Sequence, residues 1–214
     1  MELTDEKRRE LLQLPCGNIA DNNPSGGVMD PGNKPLDPYM KMVGRALPVR
    51  CYPGDNLALY QGIEVAQPGD VLVFDCGGYA AGHFGDMMAH ACMAKGVAGV
   101  VIDGTCRDRN DIVELGLPVF TRGLNPAGTV KASLGRVGER VVAGGVPVET
   151  GDIVFGDCDG VVVVPAGEAD EVFAAALAKH HKEELIVERL DAGESALAVY
   201  GFDKLIEALS SPMS

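Results

Sequence analysis

The chain contains no tryptophan, and only 5% of its 214 residues are aromatic. Base-stacking platforms and aromatic cages are therefore poorly supplied. It also lacks any excess of positive charge: 18 Lys and Arg stand against 31 Asp and Glu, a formal net charge of −13. Phosphate backbones and anionic membranes would be repelled, so neither nucleic acid nor membrane is expected as a partner. Small anions can still bind locally, and a divalent cation can be held. No apolar run approaches the roughly 18 residues of a membrane span. The opening MELTDEKRREL is charged and helical, without the apolar core of a signal peptide, which points to a cytoplasmic location. None of the six cysteines (Cys16, Cys51, Cys76, Cys92, Cys106, Cys158) forms a CxxC pair, so scattered reduced thiols are expected.

Glycine and proline are plentiful, at 28 and 13 residues, but aperiodic, which predicts many tight turns and excludes collagen. The length fits one domain with an appendage, large enough to bury a core without staples. Residues 4–14 read as a short helix with Thr4 as N-cap and Leu11, Leu12 and Leu14 on its apolar side. Residues 15–40 hold Pro15, Gly17, Pro24, Gly26, Gly27, Pro31, Gly32, Pro35 and Pro38, and read as an extended arm lying across a surface or a neighbouring subunit. Short β-branched runs between Gly-Asp turns follow: Val43–Val49, Val71–Phe74, Gly99–Ile102, Pro118–Thr121, a hairpin of Arg140–Ala143 and Pro147–Glu149 around Gly144-Gly145, Ile153–Phe155 and Gly160–Val164. Helices are expected at Asp55–Val65 and Gly85–Lys95. The second has Met87, Met88, Ala91, Cys92 and Ala94 as its apolar face and Gly96 as its stop. From Gly167 the texture is helical, with a long stretch over 167–191, a break at Gly193 and a last helix near Phe202–Leu209. This organisation divides into an N-terminal helix and arm (1–40), an α/β core (41–165) and a C-terminal helical extension (166–214). Within the core, Gly69–Gly78 (GDVLVFDCGG) echoes Gly151–Gly160 (GDIVFGDCDG). The echo is either one turn-and-strand motif used twice in a barrel-like sheet or a chance likeness of two Gly-Asp turns.

Chemistry concentrates in Gly82–Asp111, GHFGDMMAHACMAKGVAGVVIDGTCRDRND. A Gly-rich loop leads into a helix beginning at Gly85-Asp86, which returns to a strand whose end opens into the polar loop Asp103–Asp108. Bare amides at a helix N-terminus bind a carboxylate or phosphate, and glycines let a ligand approach the backbone. Asp86 in the first turn is favoured by the helix dipole. Asp108 at a strand end is a good oxygen ligand for a hard cation; a magnesium-like ion takes one or two carboxylates and keeps several waters. Arg107 offers a fixed cation for a developing enolate or a second carboxylate. Taken singly, Asp86 also reads as a helix cap and Arg107–Asp108 as a surface ion pair. His83 reads either as a base near Asp86 or as a solvated loop side chain. His90 reads as structural, and His180 and His181 as surface groups.

The spacing D-x20-R-D over Asp86, Arg107 and Asp108, followed after two intervening residues by Asp111, resembles the class II pyruvate aldolases typified by 4-hydroxy-4-methyl-2-oxoglutarate aldolase, and their relatives the RraA-like ribonuclease E inhibitors. The likeness extends over PGDVLVFDCGG at 68–78, GVAGVVIDGTCRD at 96–108, LPVFTRG at 117–123 and GVPVETGDIVFGDCDGVVVVP at 145–165. It implies an α/β fold with a compact mixed β-barrel or sandwich core of the swivelling β/β/α type, flanked by helices. It further implies that the Gly85-Asp86-Met87-Met88 turn holds a pyruvate carboxylate. Arg107 would bind the keto and carboxylate oxygens, Asp108 would ligate Mg²⁺ or Mn²⁺ directly, and Asp86 would reach the metal through water. Such an enzyme would cleave a 4-hydroxy-2-oxo acid to pyruvate and decarboxylate oxaloacetate, because both reactions pass through pyruvate enolate. The substrate would be a small 2-keto acid, and the assembly a homotrimer or hexamer. The sequence departs from the family pattern at 15–40 and in the loop Tyr79–Phe84, both of which bear on substrate choice.

Two other readings stand beside the aldolase: a non-catalytic RraA-like regulator that inhibits a protein partner, and an acidic structural subunit. A methyltransferase has no support, since no strand–GxGxG–helix signature occurs. RraA-like inhibitors end soon after the DGVVVVP strand, whereas this chain continues into HHKEELIVERLDAGES, which resembles the aldolase tail that reaches a neighbouring subunit. Glu183 or Glu184 is the expected contributed carboxylate, Glu194 a lesser candidate, and all three also read as a solvated helix face.

Overall fold

The computed structural model describes residues 3–210. In chain order the elements are α1 (Asp5–Leu11), α2 (Cys16–Asp21), β1 (Lys34–Pro35), β2 (Met42–Arg50), α3 (Leu57–Val65), β3 (Asp70–Asp75), α4 (Asp86–Lys95), β4 (Gly99–Asp103), α5 (Arg109–Leu115), β5 (Val119–Thr121), β6 (Arg136–Val137), β7 (Val141–Ala143), β8 (Val146–Val148), β9 (Ile153–Asp157), β10 (Gly160–Val164), α6 (Ala169–Asp191), α7 (Ala196–Tyr200) and α8 (Phe202–Ser210). Eight strands form one mixed sheet in the order β1-β5-β4-β3-β2-β9-β10, with β6 on β2, while β7 and β8 form a separate hairpin.

β2 is the hinge of this sheet. On one side it runs parallel to β3, from Arg45↔Asp70 to Arg50↔Asp75. On the other it runs antiparallel to β9 as far as Arg45↔Ile153, and then to β6 from Val49↔Val137. Pro48 falls between those two partners. Its carbonyl accepts from Gly138 N at 2.9 Å, so its ring nitrogen faces the same edge, where no ladder donor is required. β3, β4 and β5 continue in parallel, each reached through a helix, α3, α4 or α5. The outer strands meet: Lys34 Nζ of β1 bonds to Asp159 O at the β9–β10 turn, and the sheet nearly closes into the expected barrel.

Strand alternation sorts the side chains. Leu72, Phe74, Val100 and Ile102 face α3, α4 and α5, while Val71, Val73, Val101, Phe120 and Val154 fill the barrel. Both faces of β3 and β4 are buried, which is why their sequences read as continuous apolar runs. Removing Phe74 would cost about 3–5 kcal/mol. A third cluster joins Leu11, Leu14, Ile19, Phe155 and Phe173 between the outer face of β9–β10 and helices α1, α2 and α6. Thr4 caps α1 as expected, its hydroxyl accepting from Lys7 N at 3.2 Å.

The structure departs from the expected extended arm at 15–40. Residues Cys16–Asp21 are helical and packed into the chain's own third cluster, with Pro15 at the N-cap, where its missing N–H costs nothing. Helix α5 is a second departure from the expected elements. Its first turn is polar, and Ile112 is its buried residue. On α4 the buried residues are Met88, Ala89 and Cys92, whereas Met87 is 65% exposed. The Gly-Asp echo is structural. Asp70 accepts from Gln67 N and Asp152 from Glu149 N, both at 2.9 Å, after Gly69 and Gly151 at φ +85° and +94°, and the two strands so launched flank β2. The six cysteines are free thiols, of which Cys158 is exposed.

The C-terminal helices differ from the rest. α6 buries Ala169, Val172, Phe173 and Ala176 in its first two turns, and α7 and α8 bury nothing. Leu197, Tyr200, Phe202, Leu205, Ile206 and Leu209 are all exposed. Residues 1–2 at the start of the charged opening and 211–214 at the end of the expected extension lie outside the described residues. No described helix is long and apolar enough to cross a membrane.

Candidate active site

Ligands of open α/β sheets bind outside the carboxyl ends of parallel strands, and the predicted groups gather there. β4 ends at Asp103. The chain then runs through Gly104–Cys106, held by Cys106 N to Gly123 O (3.1 Å) and Arg107 N to Phe84 O (2.9 Å), and delivers Arg107 and Asp108 beside the start of α4. Asp108 is the N-cap of α5 at φ +59°, ψ +38°, and among the described residues it alone has a positive φ without being glycine. Aspartate tolerates this region better than most residues, but at a cost on the order of 1 kcal/mol, and such strain collects at functional sites.

The strained turn aims the carboxylate at the N-terminus of α4. Asp108 Oδ2 lies 3.4 Å from Asp86 N and 3.4 Å from Arg107 Nε. A Cβ on Gly85 would fall 2.5 Å from that oxygen, so the approach requires glycine. Gly82 is constrained in the same way, because a Cβ there would sit 2.8 Å from Arg107 Cδ. The helix has no side-chain cap. Met88 N donates to Gly85 O at 3.1 Å, whereas Gly85 N and Met87 N have no partner among the described residues. Two open amides, one weakly used amide at Asp86, a half-exposed guanidinium and a carboxylate whose Oδ1 is uncommitted thus lie together at the start of α4. This set suits a planar anion with a carboxylate. Its oxygen-rich donors, Asp108 with the half-buried Asp86 beside it, also suit a hard divalent cation.

The remaining predicted residues lie elsewhere. Asp111 is exposed on the first turn of α5. Glu183 accepts from Asn18 Nδ2 at 2.9 Å and pairs with Lys179, where α6 packs on α2. Glu184 is exposed, with His180 at 3.9 Å. Among the described residues neither touches Asp86, Arg107 or Asp108. Glu194 is held by Arg189. His83 is fully buried, not solvated, and burial pushes its imidazole below its ordinary pKa. His90 is exposed on α4.

Sequence reading missed the loop 125–133, whose Ala127 O accepts from Gly82 N at 2.9 Å and so lines Arg107. Its Asn-Pro-Ala-Gly turn, closed by Ala127 N to Asn125 Oδ1 at 2.8 Å, was the available signal. Asp103 and Arg122 at the neighbouring strand ends were missed as well. Arg122 Nε bonds to Asp103, and Asp30 lies 3.8 Å from the guanidinium.

The family model described as RraA-like, Aldolase/RraA, matches residues 16–163. The chain belongs to the aldolase/RraA family. A relative from Halalkalibacterium halodurans named "Putative 4-hydroxy-4-methyl-2-oxoglutarate aldolase" is 34% identical over 174 residues, 81% of this chain and 82% of its own. Among solved structures, an uncharacterized protein from Pseudomonas syringae pv. tomato superposes with a TM-score of 0.82 at 28% identity, covering 94% of this chain and 96% of that one. Streptomyces coelicolor RraAS2, described as an unusual member of the RNase ES inhibitor RraA family, gives 0.73 at 30% identity over 85% and 96%. As an aldolase/RraA protein, the chain carries the family's sheet, and its Gly85–Asp108 cradle lies within the matched region.

Proposed function

We propose that this protein is a divalent-cation-dependent lyase that cleaves a 4-hydroxy-2-oxo acid, such as 4-hydroxy-4-methyl-2-oxoglutarate, to pyruvate, and that it also decarboxylates oxaloacetate. The observation that carries the reading is the left-handed Asp108, which turns a carboxylate with a free oxygen toward Arg107 and the open amides of α4. Asp108 would hold Mg²⁺ or Mn²⁺, with Asp86 reaching it through water. Bound there, such an ion supplies Lewis-acid charge next to the keto oxygen.

The chain's own residues do the rest. The amides of Gly85, Asp86 and Met87 hold the substrate carboxylate at the positive end of α4. Arg107 presents its planar guanidinium to the keto oxygen and stabilises the negative charge that grows there when the C3–C4 bond breaks. Proton loss from the C4 hydroxyl starts that cleavage, and protonation of the enolate at C3 releases pyruvate. In oxaloacetate the same charge develops as CO₂ leaves, with no hydroxyl proton to remove.

Assembly enters through the tail. A keto acid over an open strand end needs shielding, and α7 and α8 carry an apolar surface that is uncovered among the described residues. We read the protein as a closed trimer or dimer of trimers in a cytoplasmic setting, with the C-terminal extension docked on a neighbour. Glu183 is engaged by Asn18 and Lys179, so Glu184 is the freer of the two carboxylates to reach the neighbour's site. Truncation after residue 166 would remove Phe173 from the core; a cut after Lys179 spares the buried turns and should lower activity far more than stability. Light scattering should give a multiple of three chains.

The similarity to RraAS2 supports a second reading, a regulator that binds a protein partner. One assay separates the two: pyruvate release from 4-hydroxy-4-methyl-2-oxoglutarate and from oxaloacetate, after EDTA and again after Mg²⁺. Release abolished by EDTA and restored by Mg²⁺ supports the lyase; no release from either compound rejects it.

A further inference from the structure

Building on the lyase reading, we propose that His83 is a positioning residue: a neutral imidazole that ties the 52–56 loop to the substrate-binding turn and so fixes where the α4 amides point. The ring is 0% exposed. Its Nε2 accepts from Gly54 N at 3.1 Å, which places the ring proton on Nδ1. Nδ1 is buried without a partner and packs toward Gly104 and Tyr79. The backbone of His83 extends the tie. Its N–H faces Ala81 O (2.8 Å) and Thr105 O (3.2 Å), and its carbonyl accepts from Asn56 Nδ2 at 3.0 Å. Beside it the buried Asp55 carboxylate accepts from Leu57, Ala132 and Ser133 amides at 2.7–2.9 Å, joining the same loop to the end of the 125–133 segment, whose Ala127 carbonyl accepts from Gly82 N. The 52–56 loop and the Gly104–Thr105 loop therefore converge on His83, two residues before Gly85, and the 125–133 loop is tied to its neighbours Gly82 and Asp55.

An apolar ring would fill this space without burying an unpaired Nδ1–H. What the imidazole adds is the acceptor for Gly54. A structural role alone would let phenylalanine serve; a positioning role would not. His83 does not touch the spot where substrate sits, so its effect must run through the turn.

The test compares Mg²⁺-loaded wild type with His83→Phe and His83→Gln, whose Oε1 can replace the Nε2 acceptor. Amide hydrogen exchange is followed over 52–56 and 83–88, with oxalate binding and the kcat and KM of pyruvate release measured alongside. His83→Phe should remain folded, exchange faster in both segments, and lose oxalate affinity and raise KM by about 10- to 100-fold. His83→Gln should recover most of each. Unchanged exchange and KM in His83→Phe, or a His83→Gln as impaired as His83→Phe, would overturn the proposal. Wild type that neither binds oxalate nor releases pyruvate would instead overturn the lyase reading, and the exchange data alone would then support or reject the tie between the loops.

Discussion

After β4 the chain turns Asp108 into a left-handed conformation; after β9 it turns Asp157, Cys158 and Asp159 into a tight hairpin. Both places bring acidic groups together, and in the hairpin the three side chains offer ligand atoms within 4.8 Å of one another. Yet the second cluster is spent on folding. Asp157 is buried, with Oδ2 accepting from Cys16 N at 2.8 Å and Oδ1 from Asp159 N at 2.9 Å. The difference comes from strand direction. β9 and β10 are antiparallel, so the chain returns at once and its carboxylate closes the turn. β4 has parallel neighbours, so the chain must leave through α5, and the strand ends stay open as a crevice. Proximity of carboxylates is thus a poor guide to a site; what counts is which oxygens remain uncommitted.

The comparison can be broken most severely at Asp108. Asp108→Ala should lower pyruvate release by roughly 10³-fold or more, while a Tm measurement shows only the loss of about 1 kcal/mol expected for alanine in a left-handed backbone. Asp108→Gly should relieve the strained φ and be at least as stable, yet equally inactive. Arg107→Lys should lose roughly 10²-fold in kcat/KM, because lysine lacks the planar fork that spans two oxygens. At the hairpin the effects should invert. Asp157→Asn would turn an amide NH₂ toward the Cys16 or Asp159 N–H, costing about 1–3 kcal/mol by denaturant titration while activity is retained in the folded fraction. The smallest effect concerns pH. Folding holds the His83 pKa below its unfolded value near 6.5. The unfolded chain therefore binds the proton first, and stability should decline as pH falls from about 6.5 toward the folded pKa. His83→Gln should flatten that decline in a pH series of melting curves.

Much of this was legible in the sequence for local reasons. Gly-Asp turns marked the starts of β3 and β9, and β-branched runs marked β4 and β10; the D-x20-R-D spacing pointed to Asp86, Arg107 and Asp108 only through its resemblance to a family pattern. What escaped was non-local or disguised. Pro15 and Gly17 masked α2, whose apolar side is defined by its packing against α6. Arg109, Asn110 and Asp111 made the first turn of α5 resemble loop. His83 read as a base or a solvated loop residue because its burial depends on Gly54, Thr105 and Tyr79, which only the folded chain brings together. The left-handed backbone of Asp108, the feature that most distinguishes it from Asp157, leaves no mark in composition.

The most direct measurement is Mn²⁺ binding followed by EPR of the free ion, with oxalate present, on wild type, Asp108→Ala and Asp157→Asn. Binding to wild type and to Asp157→Asn, with loss in Asp108→Ala, is the predicted result. Binding that survives in Asp108→Ala and disappears in Asp157→Asn would place the cation at the hairpin and contradict the account.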